Sequence, residues 1–264
     1  MNDHTLNKRA LTNSLLLLAC IFSMLAVSSF SVKNIPVAKP GRLKISFINT
    51  ANGKPVVLRD SSYSNHFGET YYINKLKYYI SNITLQTATD GKLYYKDGYH
   101  LVNAASETNS FEFDMAPGSY SSIRFLLGVD SAKNCSGAQS GALDPLNDMF
   151  WTWNSGYVMF KLEGTSPASA ADLNRIEHHL GGYKGLYNVV TPIELSLYNS
   201  RMLEIKENST TEIVIEANMD NYWKGDRDIR ISEVPVCITT GEIAKKISSN
   251  FKYLFTVRTI QNIP

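Results

Sequence analysis

Apolar and polar residues alternate through much of this chain. Leu43, Ile45 and Phe47 are separated by Lys44 and Ser46, the two-residue period of a strand with one buried face. Residues 54–58 are a second strand candidate after the turn Ala51-Asn52-Gly53. Residues 71–86, YYINKLKYYISNITLQ, are dense in β-branched and aromatic side chains, which suit a pleated and partly buried surface. Strands are predicted at 92–95 and 99–102, with Asp97-Gly98 as the hairpin turn between them. Others follow around Phe111 and Phe113, and at 120–129 after the turn Pro117-Gly118. The pattern resumes at 150–162, where Asn154-Ser155-Gly156 interrupts it, then at 190–197, 202–205, 212–217 and 253–257. One helix is predicted at 242–249, with Ile243, Ala244 and Ile247 on one face. Many short strands between turn residues predict an all-β fold, an antiparallel β-sandwich with one or two short helices.

The first residues follow a different rule. Lys8 and Arg9 precede an apolar stretch at 15–27, which ends in the small residues Ala26-Val27-Ser28. This is the order of a secretory signal peptide, predicted here as residues 1–28. The stretch is shorter than the ~20 residues of a comfortable membrane span, so no span is expected in the mature chain. An uncleaved anchor is one alternative, and lipid attachment at Cys20 within Leu17-Leu18-Ala19-Cys20 is another. Residues 29–41 contain Pro36, Pro40 and Gly41 without periodicity and read as a linker. A single domain is expected at 42–264, in the periplasm or secreted, where conditions are oxidising. Beyond residue 28 the cysteines are Cys135 and Cys237. A disulfide and two separate thiols both fit them.

Composition changes the picture mainly by exclusion. The 264 residues are 44% hydrophobic and carry a formal charge of +2, enough for a sizeable core. Basic residues are dispersed, which argues against a nucleic-acid partner. No nucleophile elbow, zinc-protease helix, phosphate loop or dinucleotide fingerprint occurs, so an enzyme is not expected. The loop Asp144-Pro145-Leu146-Asn147-Asp148 offers oxygen ligands, but it lacks EF-hand spacing and reads as a solvated turn.

Two segments carry candidate chemistry. One runs from Gly128-Val129-Asp130 through Asn134-Cys135 to Met149-Phe150-Trp151-x-Trp153-x-x-Gly156-Tyr157. The other is Ile176-Glu177-His178-His179-Leu180-Gly181-Gly182. With Tyr79-Ile80-Ser81-Asn82-Ile83-Thr84-Leu85 and Tyr99-His100-Leu101-Val102 upstream, the chain resembles the MbnP-like family of periplasmic copper-binding proteins over roughly residues 42–218. The resemblance implies an all-β protein whose copper is held through two histidines near an oxidation-prone tryptophan. His179 matches the histidine of the family's His-Leu-Gly motif. The family's other histidine follows an asparagine, and here Asn134 is followed by Cys135.

Imidazole suits copper, and thiolate suits Cu(I) in particular. The candidate donors are therefore His179 and Cys135, with His178 as a further one. Neighbouring residues on a strand face opposite sides, so His178 and His179 are not expected to share one ion. Trp151 and Trp153 would share a face as packing residues or as aromatics near the site. Two functions follow: an exported, non-catalytic copper-binding protein, or a metal-free carbohydrate or adhesion-type module on the same fold.

Overall fold

The computed structural model describes residues 38–151, 156–197 and 202–263. The predicted signal peptide, Cys20 and most of the predicted linker lie outside them, as does Trp153. From Ala38 onward the chain forms one compact unit. Its strands are β1 (Gly41–Ala51), β2 (Lys54–Pro55), β3 (Ser62–Ser64), β4 (Thr70–Thr87), β5 (Leu93–Asn103), β6 (Ser110–Met115), β7 (Gly118–Leu127) and β8 (Phe150–Trp151). They continue with β9 (Gly156–Thr165), β10 (Arg175–Gly181), β11 (Thr191–Ser196), β12 (Leu203–Ile205), β13 (Thr210–Asn218), β14 (Val236–Cys237) and β15 (Phe255–Ile263). Three short helices occur among the described residues: α1 (Ser131–Asn134), α2 (Asp220–Trp223) and α3 (Glu242–Ser248).

The smaller sheet runs β15-β13-β1-β2, with β6 also paired to β1. The larger runs β11-β7-β4-β9-β10-β14, with β3 and β5 on β4, β12 on β7 and β8 on β9. Aromatic side chains lock the two together. Phe47 of β1 meets Tyr78 of β4 and Phe125 of β7 edge-on, at centroid distances of 6.4 and 5.9 Å. Phe255 of β15 meets the same two rings at 5.8 and 5.3 Å. Offset and edge-on ring pairs add to the stabilisation from area burial alone.

The sandwich is mixed, not purely antiparallel as expected. β1 pairs with β13 in parallel from Arg42↔Thr210 to Thr50↔Asn218, and β10 pairs with β14 in parallel. Alternation along a strand fixes which residues face inward but not which way its neighbour runs.

β4 organises the larger sheet. Its 18 residues pair with β9 through Tyr72–Tyr78 and with β7 through Ile80–Thr87. Two irregularities reset which side chains face in. Tyr71 and Ile73 are buried, then Leu76, Tyr78 and Ile80, then Ile83 and Leu85. The register shifts between Ile73 and Lys75 on the β9 side, and between Ser81 and Ile83 on the β5 side. Asn82 adopts φ 52°, the left-handed region that asparagine tolerates better than most residues.

Opposite Asn82 lie Asp97 and Gly98. They are not the predicted hairpin turn, because β5 runs unbroken through them. Gly98 takes φ 156° and absorbs the extra residue as a bulge. The predicted helix is present, but Ile243 is half exposed, and Ala244, Ile247 and Ser248 form its buried side. No helix among the described residues is long and apolar enough to cross a membrane.

Candidate metal-binding site

The parity of β4, β9 and β10 builds a polar strip on the outer face of the larger sheet. Lys75 lies opposite Glu163, Lys77 opposite Lys161, and Lys161 opposite His179. These side chains point away from the inter-sheet core, where Leu76, Leu162 and His178 point inward. The segment between β7 and β9 closes over the adjoining part of this face. It leaves the sheet at Gly128, whose N–H donates to Tyr79 O at the point where β4 passes from β7 to β9. A Cβ on Gly128 would sit 3.2 Å from Met159 Sδ and Val190 Cγ2, and its φ is +127°. Glycine is therefore needed both for the turn and for the close approach.

Asp130 caps α1 by accepting from Lys133 N, and it also accepts from Asn82 Nδ2 at 3.0 Å and from Tyr99 OH. Asn134 is buried and bonds in both directions. Its Nδ2 donates to Val129 O and Asp130 O, and its Oδ1 accepts from Tyr157 N at 3.0 Å. Fully used, this side chain fixes the end of α1 against β9. The next residue, Cys135, is exposed, and its Sγ lies 3.8 Å from Tyr183 OH. Cys237 is a separate, buried thiol, so the structure holds no disulfide between them. Burial pushes the Cys237 thiol up to about 11.

The acidic loop is an anchor, not a solvated turn. Asp144 caps a short 3-10 turn by accepting from Leu146 N. Asp148 bridges Lys75 at 2.8 Å and Lys161 at 2.9 Å, and Lys77 donates to Asn147 O at 2.8 Å. Burial pulls the Asp148 carboxyl upward, but the two lysines more than reverse this and hold it at about 2. Lys161 is buried despite its charge, which a paired partner permits.

Three residues after Asp148, Trp151 lies over β10. A Cβ on Gly181 would come within 2.3 Å of its Cζ3. The indole thus occupies the space of the missing side chain, on the face that His179 shares two residues earlier. Trp151 is buried, as a packing residue would be.

The two histidines take opposite faces. His178 is fully buried, with Nδ1 2.7 Å from Tyr222 OH and Nε2 2.7 Å from Val234 O. Burial pulls its pKa down to about 4. Both ring nitrogens are engaged, so His178 leaves the candidate donor set. His179 is part-buried, and its Nε2 lies 2.9 Å from Glu163 Oε1. Among the described residues its Nδ1 has no hydrogen-bond partner. Glu163 is held at about 2, first by the bond to His179 and also by Lys75, against the upward pull of burial.

A family model described as MbnP matches residues 40–239. The chain belongs to the MbnP family. Among solved structures, MbnP from Methylosinus trichosporium superposes with a TM-score of 0.51 at 13% identity, covering 76% of this chain and 83% of that one. At that identity the likeness is one of fold. No curated protein matches. The MbnP match includes every segment of the candidate site and stops before α3 and β15.

Within this MbnP fold, Cys135 meets the loop after β10, and Trp151 covers the end of β10 just beyond His179. Among the described residues no group of three or more His, Cys, Asp or Glu side chains is arranged to hold a metal. Imidazole nitrogen and thiol, the donor types that His179 and Cys135 carry, are ones that soft ions prefer. Sequence reasoning did not single out Glu163, Asp148 as an ion-pair partner, or Tyr183. Their roles depend on cross-strand register, and only the alternation around Lys161 and Glu163 hinted at an outward-facing pair.

Proposed function

We propose that this chain is an exported copper-binding protein of the MbnP family, which holds and passes on the ion without turnover. His179 Nδ1 and the Cys135 thiolate would be the donors. A sulfur–nitrogen pair favours Cu(I) over Cu(II), and over Mg²⁺ and Ca²⁺. The thiol must lose its proton to bind, so affinity should weaken as pH falls. The leader-like residues 1–28 support delivery to the periplasm or cell surface.

The observation that carries this reading is convergence at the end of β10. Segments far apart in sequence meet there, Trp151 on Gly181 and Cys135 on Tyr183, two and four residues past the partly exposed His179. A buried aromatic at Trp151, packed on Gly181 two residues past His179, would help to exclude water and protect a reduced ion.

The second reading is a metal-free binding module. It is favoured by a cleft of about 320 Å³ that Trp151, Tyr157, Tyr183 and Tyr187 help to line, since ring faces can stack on a flat ligand such as a sugar.

Competition for Cu(I) against a chromogenic chelator separates the two. Reduced wild-type protein should take up one Cu(I), with His179→Ala and Cys135→Ser each weakening it strongly, while His66→Ala leaves it unchanged. Absence of uptake, or equal uptake without His179, would leave the metal-free module as the better reading.

A further inference from the structure

We infer that Glu163 is a positioning residue: it holds His179 in the tautomer that carries hydrogen on Nε2 and presents Nδ1 as the donor nitrogen. The inference deepens the copper reading and rests on it for the identity of the ion.

A neutral imidazole has one N–H and one lone pair, and its neighbours decide which nitrogen carries which. Glu163 Oε1 lies 2.9 Å from His179 Nε2. A carboxylate only accepts, so Nε2 must donate. The lone pair then falls on Nδ1, which is free of hydrogen bonds among the described residues. Metal-bound histidines are commonly oriented in this way, by a carboxylate or carbonyl on the far nitrogen.

The carboxylate is itself held in place. Lys75 Nζ lies 3.3 and 3.2 Å from the two Glu163 oxygens. The same ammonium reaches Asp148 at 2.8 Å, and Asp148 is three residues before Trp151. The chain of contacts Asp148–Lys75–Glu163–His179 thus ties the covering loop to the ring it would shield. Register gives the arrangement a direction. Glu163 sits on the rung of Glu177, one step back along β10, while Gly181 and Trp151 lie one step forward.

Nitrogen-15 NMR of the metal-free protein above pH 8, with His179→Gln used to assign the ring, reads the tautomer directly. Wild type should show Nε2 protonated and Nδ1 bare. Glu163→Gln keeps an acceptor oxygen and should preserve that pattern, whereas Glu163→Leu should show exchange between the two tautomers. Cu(I) competition on the same proteins should show affinity roughly 10–100-fold weaker in Glu163→Leu, with Glu163→Gln recovering much of the loss. Melting curves identify any variant that fails to fold; should Glu163→Leu fail, Glu163→Ala takes its place, with the same exchange between tautomers expected. An unchanged tautomer in Glu163→Leu, or Nδ1 protonated in wild type, would overturn the role of Glu163 whatever the copper result. A tautomer that responds to Glu163 in a protein that takes up no Cu(I) would uphold the orientation and defeat the copper function.

Discussion

Gly181→Ala is the sharpest test of how the site is covered. Gly181 has no positive φ, so alanine carries no backbone penalty there and the effect is steric. The new methyl would lie 2.3 Å from Trp151 Cζ3 and 2.6 Å from Cη2, well inside the ordinary contact distance of ~3.5–4 Å. The indole must move by more than an ångström or leave. Leaving would expose much of a ring that buries ~150–250 Å², at a cost of about 4–6 kcal/mol. Local displacement is cheaper, at ~1–3 kcal/mol for overpacking. Lower entropy of the unfolded chain returns ~0.5 kcal/mol of that. A net loss of about 1–2 kcal/mol remains, or a Tm lower by roughly 3–6 °C for a domain of this size. Thermal melts should be run in wild-type and Trp151→Ala backgrounds. With the indole gone the same methyl should be neutral or slightly stabilising, giving a coupling of ~1–3 kcal/mol. Equal losses in both backgrounds, or no loss in wild type, would refute the packing of Trp151 on Gly181.

Two further outcomes follow from the charges. Asp148→Asn removes the partner of the buried Lys161 and should cost ~1–2 kcal/mol, a figure reduced because Asp148 is half exposed; urea melts at pH 7 measure it. Asp148 has a folded pKa of about 2, below its ordinary 3.8. Its stabilisation is complete above pH ~4 and is lost as pH falls toward 2, so the gap between wild type and variant should close over that range. His178 has a folded pKa of about 4 against 6.5 unfolded. The unfolded chain therefore binds the extra proton between those values, and stability should fall by ~2 kcal/mol from pH 7 to pH 4.5. A His178→Asn variant should be less stable at pH 7 but flatter across that interval, as followed by melts in matched buffers.

Much of the architecture is readable in the alternation of residues, and the exceptions have particular causes. Leu43, Ile45 and Phe47 face the core as their period requires. Residues 71–86 look irregular because β4 changes face twice, near Asn74 and at Asn82, while remaining one strand. Asp97-Gly98 has the composition of a tight turn, yet it serves as a bulge, because only the partner strand reveals that an extra residue must be absorbed there. Ile243 lies on the apolar side of the helical pattern but is half exposed, since contact with the sheet selects Ala244 and Ile247. The site was legible in its residue types and less so in its connections. The opposite facing of His178 and His179 follows from strand geometry alone. The link from His179 to Glu163, Lys75 and Asp148 joins three segments through register, which local sequence does not encode.

The place of β1 in the smaller sheet bears on how the chain reaches its native state. This first strand lies between β6 and the parallel strand β13, whose residues 210–218 come some 170 positions later. Until that segment has emerged, β1 has one long edge without its permanent neighbour, and β15 must then close over β13. Contacts of such long range are slow to form, because the entropy of closing the intervening loop is spent before pairing returns anything. A chain that emerges N-terminus first therefore carries an open strand edge through most of its synthesis or passage, the kind of surface that invites pairing with other chains.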